Sequence, residues 1–167
     1  MMVDDTACGY NRTYAQINLS AIRKNIDTSR KALPEGTGII AVIKTDAYGH
    51  GAVRVAKAIG NMTAGFAVAT IDEAVELRQA GIKSHIIILG YVSPKEYAEA
   101  IENDIILSMF SYEQACELSK LAKSMGRPGR CHIKVDTGMN RIGFPAKHEK
   151  DIIPTADEIE KIKTLPD

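Results

Sequence analysis

The sequence predicts an α/β fold built on a parallel sheet. Two observations carry the prediction. Short apolar runs rich in β-branched residues alternate with stretches of helical periodicity along nearly the whole chain. The alternation repeats about every 20–25 residues, the spacing of strand–helix–strand units whose strands run parallel. No segment resembles another in sequence, so the repeat is one of structure and not that of a solenoid.

Each element has a local reason. Residues 14–19 alternate in polarity and are expected to form the first strand. Ser20 suits an N-cap, after which Ile22, Ile26 and Ala32 share a helical face. Pro34, Gly36 and Gly38 end that helix. Residues 39–44 form an apolar, β-branched strand. Val53, Ala56 and Ile59 recur at helical spacing within residues 51–59, and residues 65–69 return to a strand. A helix over 71–80 closes at Gly81, and a strand follows over 85–89. Ser93-Pro94 opens a helix over 94–101. Residues 105–108 are a strand, residues 112–125 a helix closed by Gly126, and residues 131–136 a strand. A last helical stretch covers 157–164, where the charge run of residues 158–163 reads as a solvated face.

Composition removes several classes of function. The 167 residues suit one domain or part of a larger one, and 45% hydrophobic residues supply a core. Twenty-one basic residues balance 21 acidic ones, so there is no excess charge for nucleic acid or for an anionic membrane surface. The longest apolar runs, such as residues 39–43 and 86–89, are far too short to span a bilayer. Residues 1–16 contain acids and no apolar run, which is not a secretory leader. Cys8, Cys116 and Cys131 lack CxxC or Cys/His ligand spacing. A reduced, cytoplasmic protein without a metal site is expected.

Two parallel architectures compete. A doubly wound sheet of five strands would be complete at this length. A parallel (β/α)8 TIM-type barrel needs about 200–250 residues, so the chain would hold about five of the eight units. Strand faces separate them. In residues 131–136, His132, Lys134 and Asp136 share one face, while Cys131, Ile133 and Val135 share the other. A central strand covered by helices on both sides should not carry three polar residues on one face. A barrel interior near an active site accepts them, which favours the partial barrel.

The chemistry concentrates in residues 41–51, AVIKTDAYGHG. Lys44 ends an apolar strand and shares a face with Ile40 and Val42. Catalytic groups gather at the C-terminal strand ends of parallel folds. A desolvated lysine loses its proton more readily, and a neutral amine is what carbonyl chemistry needs. Taken alone, such a lysine more often snorkels to water. The ordered Tyr-Gly-His-Gly behind it changes that reading. Other signals are weaker. His50 and His132 read as hydrogen-bonded structural histidines and Asp136 as a cap for the loop after it. GMNRIG at 138–143 lacks the Lys-Ser/Thr of a phosphate-binding loop. There is no GxSxG and no cluster of metal ligands.

AVIKTDAYGHG resembles the pyridoxal-phosphate attachment motif of bacterial alanine racemases, which more often have Ala where this chain has Thr45. YAQINLSAIRKNI is similar to that family's first strand and helix, and HIKVDTGMNRIGF, residues 132–144, to its second hallmark. The resemblance implies pyridoxal 5'-phosphate as cofactor, an amino acid as substrate, and interconversion of L- and D-alanine for cell-wall peptidoglycan by a homodimer. It implies that Lys44 attaches the cofactor and moves the α-proton on one face, and that Tyr48 contacts the cofactor phosphate. Arg141 then binds the substrate carboxylate, Met139 lines the substrate site, and Lys134 is a candidate for carbamylation. The domain reading is an N-terminal segment and strand over 1–19 and a partial, cofactor-binding barrel over 20–167, without the family's C-terminal β-domain. That domain supplies the second proton-transfer group from the partner subunit, so this chain alone is expected to be inactive. A non-catalytic pyridoxal-phosphate carrier on the same barrel, or a racemase of another amino acid such as serine, stays open.

Overall fold

The computed structural model describes residues 13–166. The order is α1 (Leu19–Lys31), β1 (Ile40–Val42), α2 (Lys44–Gly49), α3 (Ala52–Ile59), β2 (Gly65–Val68), α4 (Ile71–Gln79) and β3 (His85–Ile88). A 3-10 turn, Pro94–Glu96, leads into α5 (Tyr97–Glu102), followed by β4 (Leu107–Met109), α6 (Tyr112–Met125) and β5 (Cys131–Ile133). The short strands β6 (Val135–Asp136) and β7 (Phe144–Pro145) precede α7 (Glu149–Lys163). Among the described residues no helix is long and apolar enough to cross a membrane.

Among the described residues all strand pairings are parallel. β1 joins β2, β2 joins β3 and β4 joins β5. A bridge between Ile87 and Ile106 carries the sheet from β3 to β4. The strands therefore lie in chain order without the reversal that defines a doubly wound sheet. The sheet does not close into a barrel: β1 pairs on one side only among the described residues, and β6 and β7 form a separate parallel pair.

Alternation along the strands sorts the two faces. Phe66, Val68, Ile86, Ile88, Leu107 and Met109 are buried against the helices, packed with Ile59, Leu77, Ile101 and Leu118. Each such side chain contributes about 1.5–3 kcal/mol through burial. The other face carries Ile40 and Val42, each 42% exposed, at the open edge.

At the N-terminal ends of the strands, Arg78 of α4 acts as a staple. Its Nε donates to the Asn103 carbonyl at 2.8 Å and its Nη2 to the Asp104 carbonyl at 2.8 Å. Its Nη1 donates to the carbonyls of Ile82 and Ser84 at 2.8 and 2.7 Å. One guanidinium thus joins the connections entering β3 and β4, using the planar fork of donors that lysine lacks.

Several expectations change. Residues 14–19 form no strand: α1 begins at Leu19, and Tyr14 is 77% exposed. A six-residue alternation makes a strand only where a ladder partner exists, and none pairs with it among the described residues. Residues 1–12, which include Cys8 and most of the segment expected not to be a secretory leader, lie outside the described residues. Asn18, not Ser20, caps α1, its side chain accepting the Ala21 N–H at 2.9 Å. The final helix starts at Glu149, well before residue 157, although Pro154 lies inside it. The His148 N–H is satisfied by Asp151 at 3.0 Å, and the Thr155 hydroxyl donates to the Pro145 carbonyl, so tertiary contacts hold the helix across the proline. The expected strand 131–136 breaks at Lys134. Its N–H bonds the Met109 carbonyl at 2.8 Å while its C=O accepts from Phe144 at 2.8 Å, so the chain leaves β4 there and pairs with β7.

Candidate functional site

The site is built where β1 ends. Ile43 is buried, its N–H bonded to the Ala67 carbonyl of β2 at 2.9 Å, and Lys44 follows, half-buried. The next four residues, Thr45, Asp46, Ala47 and Tyr48, all have φ between +51° and +56° and ψ between +41° and +53°. This is one turn of left-handed helix without a glycine. At about 1–2 kcal/mol per residue the turn stores about 4–8 kcal/mol, and a β-branched Thr45 is a severe case. Strain of this size persists only where the surroundings over-determine it.

They do so here. Asp46 Oδ1 accepts the Ala52 N–H at 2.7 Å, and the Gly51 N–H reaches the Asp46 carbonyl at 2.9 Å, fastening the turn to α3. The Thr45 N–H donates to Glu73 Oε1 at 2.7 Å. His50 Nδ1 lies 3.1 Å from the Tyr48 carbonyl, the structural hydrogen bond expected of it. Tyr48 itself is 60% exposed and lies in a groove with Ile22, Ile26 and Val42, beside the free edge of β1.

The concave face of the sheet forms a separate cavity of about 320 Å³. Ile40, Val42, Ala67 and Ile87 line its apolar floor, and Ser108, His132 and Lys134 add polar groups on the β4–β5 side. Ser108 is spoken for, its hydroxyl donating to the Ile88 carbonyl at 2.7 Å. His132 and Lys134 both line the cavity, but Ile133, expected on the opposite face, lines it too, and Asp136, grouped with them in the sequence, turns to the loop that follows.

Met139 and Arg141 ride on the loop between β6 and β7, and both are exposed, Met139 by 76%. Asp136 organises that loop. Its Oδ1 accepts the N–H groups of Gly138 at 2.9 Å and Asn140 at 3.1 Å. These bonds, the Gly138 one first, hold its carboxyl below the usual carboxylate range. Gly143 closes the loop at φ +142°, where a Cβ would stand 2.5 Å from the Asp136 nitrogen.

Lys44, Tyr48, Lys134, Met139 and Arg141 thus sit on the C-terminal side of the sheet, distributed over an edge turn, a cavity wall and a loop. No hydrogen bond or ion pair links them among the described residues. The residues overlooked in the sequence are those that hold the frame, Asp46 and Glu73. The signal for Glu73 was present as Thr70-x-x-Glu73, a capping-box pattern.

A parallel sheet wound in chain order, with a lysine leading into a strained turn at a C-terminal strand end, defines an α/β domain of strand–helix units. The comparisons narrow that class. The family model described as "Alanine racemase, N-terminal domain" matches residues 17–165, and the chain belongs to this family. It is 43% identical over 152 residues to the alanine racemase of Methanococcus maripaludis, covering 90% of this chain and 41% of that protein. Among solved structures it is similar to the alanine racemase of Clostridium difficile 630 in complex with cycloserine, with a TM-score of 0.82 and 39% identity. That match covers 89% of this chain and 40% of the other. It is also similar to a histidine racemase from Leuconostoc mesenteroides, with a TM-score of 0.74 and 28% identity over 88% of this chain and 39% of that one. The chain therefore spans about 40% of the length of the relatives it matches.

Proposed function

We propose that the protein carrying this sequence interconverts L- and D-alanine with pyridoxal 5'-phosphate attached at Lys44. The observation that carries the reading is the presentation of Lys44 by a held left-handed turn at the C-terminal edge of the sheet. The donor set suits the cofactor: an amine at the sheet edge, a phenol able to donate to a phosphate, and an open concavity with an apolar floor. When bound, pyridoxal phosphate supplies the electron sink that makes an α-proton removable.

The chain's own residues have distinct roles. Lys44 holds the cofactor and moves the substrate α-proton on one face. The Tyr48 hydroxyl donates to the phosphate. Arg141 receives the substrate carboxylate through its planar fork, beside Met139. Lys134, on the cavity wall, is the residue open to carbamylation. Racemisation also requires a proton donor on the opposite face. That group is assigned to a partner subunit of a homodimer and to sequence beyond the part of the relatives matched here, as is closure of an eight-stranded barrel.

Two measurements test this. The 167 residues with added pyridoxal phosphate should develop a visible absorption band that Lys44→Ala abolishes. They should form D-alanine from L-alanine no faster than Lys44→Ala, and robust turnover would refute the assignment of the second donor elsewhere. The histidine racemase likeness favours a second reading, a racemase of another amino acid on the same scaffold. Substrate competition in the longer protein separates the two. A non-catalytic cofactor carrier would colour normally but racemise nothing at any length.

A further inference from the structure

We propose that Glu73 is the positioning residue for Lys44, its carboxylate locking the turn that follows the lysine to the neighbouring strand–helix connection. The inference rests on Lys44 being the pyridoxal-phosphate lysine. Glu73 lies in the first turn of α4, three residues after the N-cap Thr70. A capping box would fold the glutamate back onto the N–H of its own N-cap residue. Only half of that box forms, with Thr70 Oγ1 accepting the Glu73 N–H at 3.4 Å. The carboxylate instead passes its N-cap by. Oε2 accepts the Ala69 N–H at 2.7 Å, and Oε1 accepts the Thr45 N–H at 2.7 Å.

Ala69 belongs to the connection after β2, and Thr45 is the residue directly after Lys44 in the connection after β1. One half-buried carboxylate therefore ties two adjacent connections by short, charge-assisted bonds. Its grip falls on the first residue of the left-handed turn, where Thr45 has φ +54°. The far side of the turn is already pinned to α3 through Asp46. Relaxation of Thr45 toward negative φ would therefore fall on the peptide joining it to Lys44, and so on the aim of the lysine side chain. Glu73 touches no reacting atom in this scheme; it acts through Lys44.

The test reads where pyridoxal phosphate attaches. The folded chain is incubated with the cofactor, reduced with borohydride, digested, and the pyridoxyl-lysines are quantified by mass spectrometry, with exposed Lys57 as internal reference. In the unsubstituted chain labelling should concentrate on Lys44. Glu73→Ala should lower the Lys44-to-Lys57 ratio by roughly ten- to a hundredfold, the effect of a small misplacement of a reacting group. Glu73→Gln retains one carbonyl acceptor and should fall between the two, and it carries the test if the alanine variant does not fold. A folded Glu73→Ala chain labelled at Lys44 like the unsubstituted one would overturn the assignment alone. An unsubstituted chain with no preference for Lys44 would overturn the cofactor reading and this assignment with it.

Discussion

Replacing Arg78 by alanine removes four hydrogen bonds from one side chain, to the carbonyls of Ile82, Ser84, Asn103 and Asp104. Hydrogen bonds to a charged donor contribute about 1.5–3 kcal/mol each, so a simple sum would reach about 6–12 kcal/mol. Two effects reduce it. Arg78 borders an open pocket with Lys83, Glu102 and Asp104, so water reaches the carbonyls once the guanidinium is gone. The mutant also avoids up to about 2 kcal/mol of side-chain ordering. A loss of about 2–4 kcal/mol remains, a large part of a typical stability of about 5–15 kcal/mol. Urea unfolding followed by circular dichroism measures it directly. Arg78→Lys should lose about half as much, since an ammonium cannot serve four carbonyls spread across a plane. Arg130→Ala provides the control. Its pair with Asp104, 2.9 Å long, is exposed on both sides and contributes at most about 1 kcal/mol. An Arg78→Ala chain within about 0.5 kcal/mol of the unsubstituted one, near the noise of surface changes, would show that the staple holds nothing.

Two further predictions concern titrating groups. Tyr97 is 1% exposed, and its hydroxyl has no protein partner among the described residues. Tyr97→Phe should leave stability unchanged or raise it by about 1 kcal/mol, because it removes an unpaired polar atom and keeps the ring; a clear loss in urea unfolding would reveal a hidden partner. Burial first, then the charges of Glu117 and Tyr91, push this hydroxyl up to about 12. The raised value means that the folded chain resists ionising this hydroxyl, so no stability is lost to it below the ordinary tyrosine range, near 10, and stability falls as pH climbs toward 12. The alkaline loss of stability should therefore shrink in Tyr97→Phe. Asp136 behaves in the opposite sense. Its carboxyl is held low by the Gly138 and Asn140 N–H groups, so the ordering it confers is complete above the usual carboxylate range and is lost as pH falls through its lowered value. Protection of the Gly138 and Asn140 amides, taken relative to the intrinsic exchange rate at each pH, should fall in strong acid and in Asp136→Asn; unchanged protection in both would refute the loop assignment.

The parallel order of β1 to β5 was legible because each strand run is bounded by its own punctuation, such as Gly81 before β3 and Gly126 before β5. Helix α6 matches its expected span at both ends, framed by the Ser111 cap and the left-handed Gly126. What escaped depends on partners distant in the chain. Pro154 hid the first half of α7, which Asp151 and Thr155 hold in place. The break at Lys134 is invisible in a six-residue alternation, since it arises when the backbone changes neighbour from β4 to β7. Around the site, the lysine motif marked the C-terminal end of β1, yet nothing local announced a left-handed turn through Thr45. A β-branched residue argues against that conformation, and Thr45 is held in it by Glu73, 28 positions away, together with the bonds of Asp46 to the start of α3.

The winding of the sheet has a consequence for synthesis. Partners across successive ladders lie between 19 and 25 residues apart, at Ile40 with Gly65, Gly65 with His85, Ile87 with Ile106 and Leu107 with Cys131. Each strand therefore waits only for the next one to leave the ribosome. At about 5–20 residues per second a new strand–helix unit becomes available every one to five seconds or so. The domain can be laid down in the order of translation. The most recently made strand always forms the growing margin, so the interval before its neighbour arrives is when that margin is most open to a wrong partner.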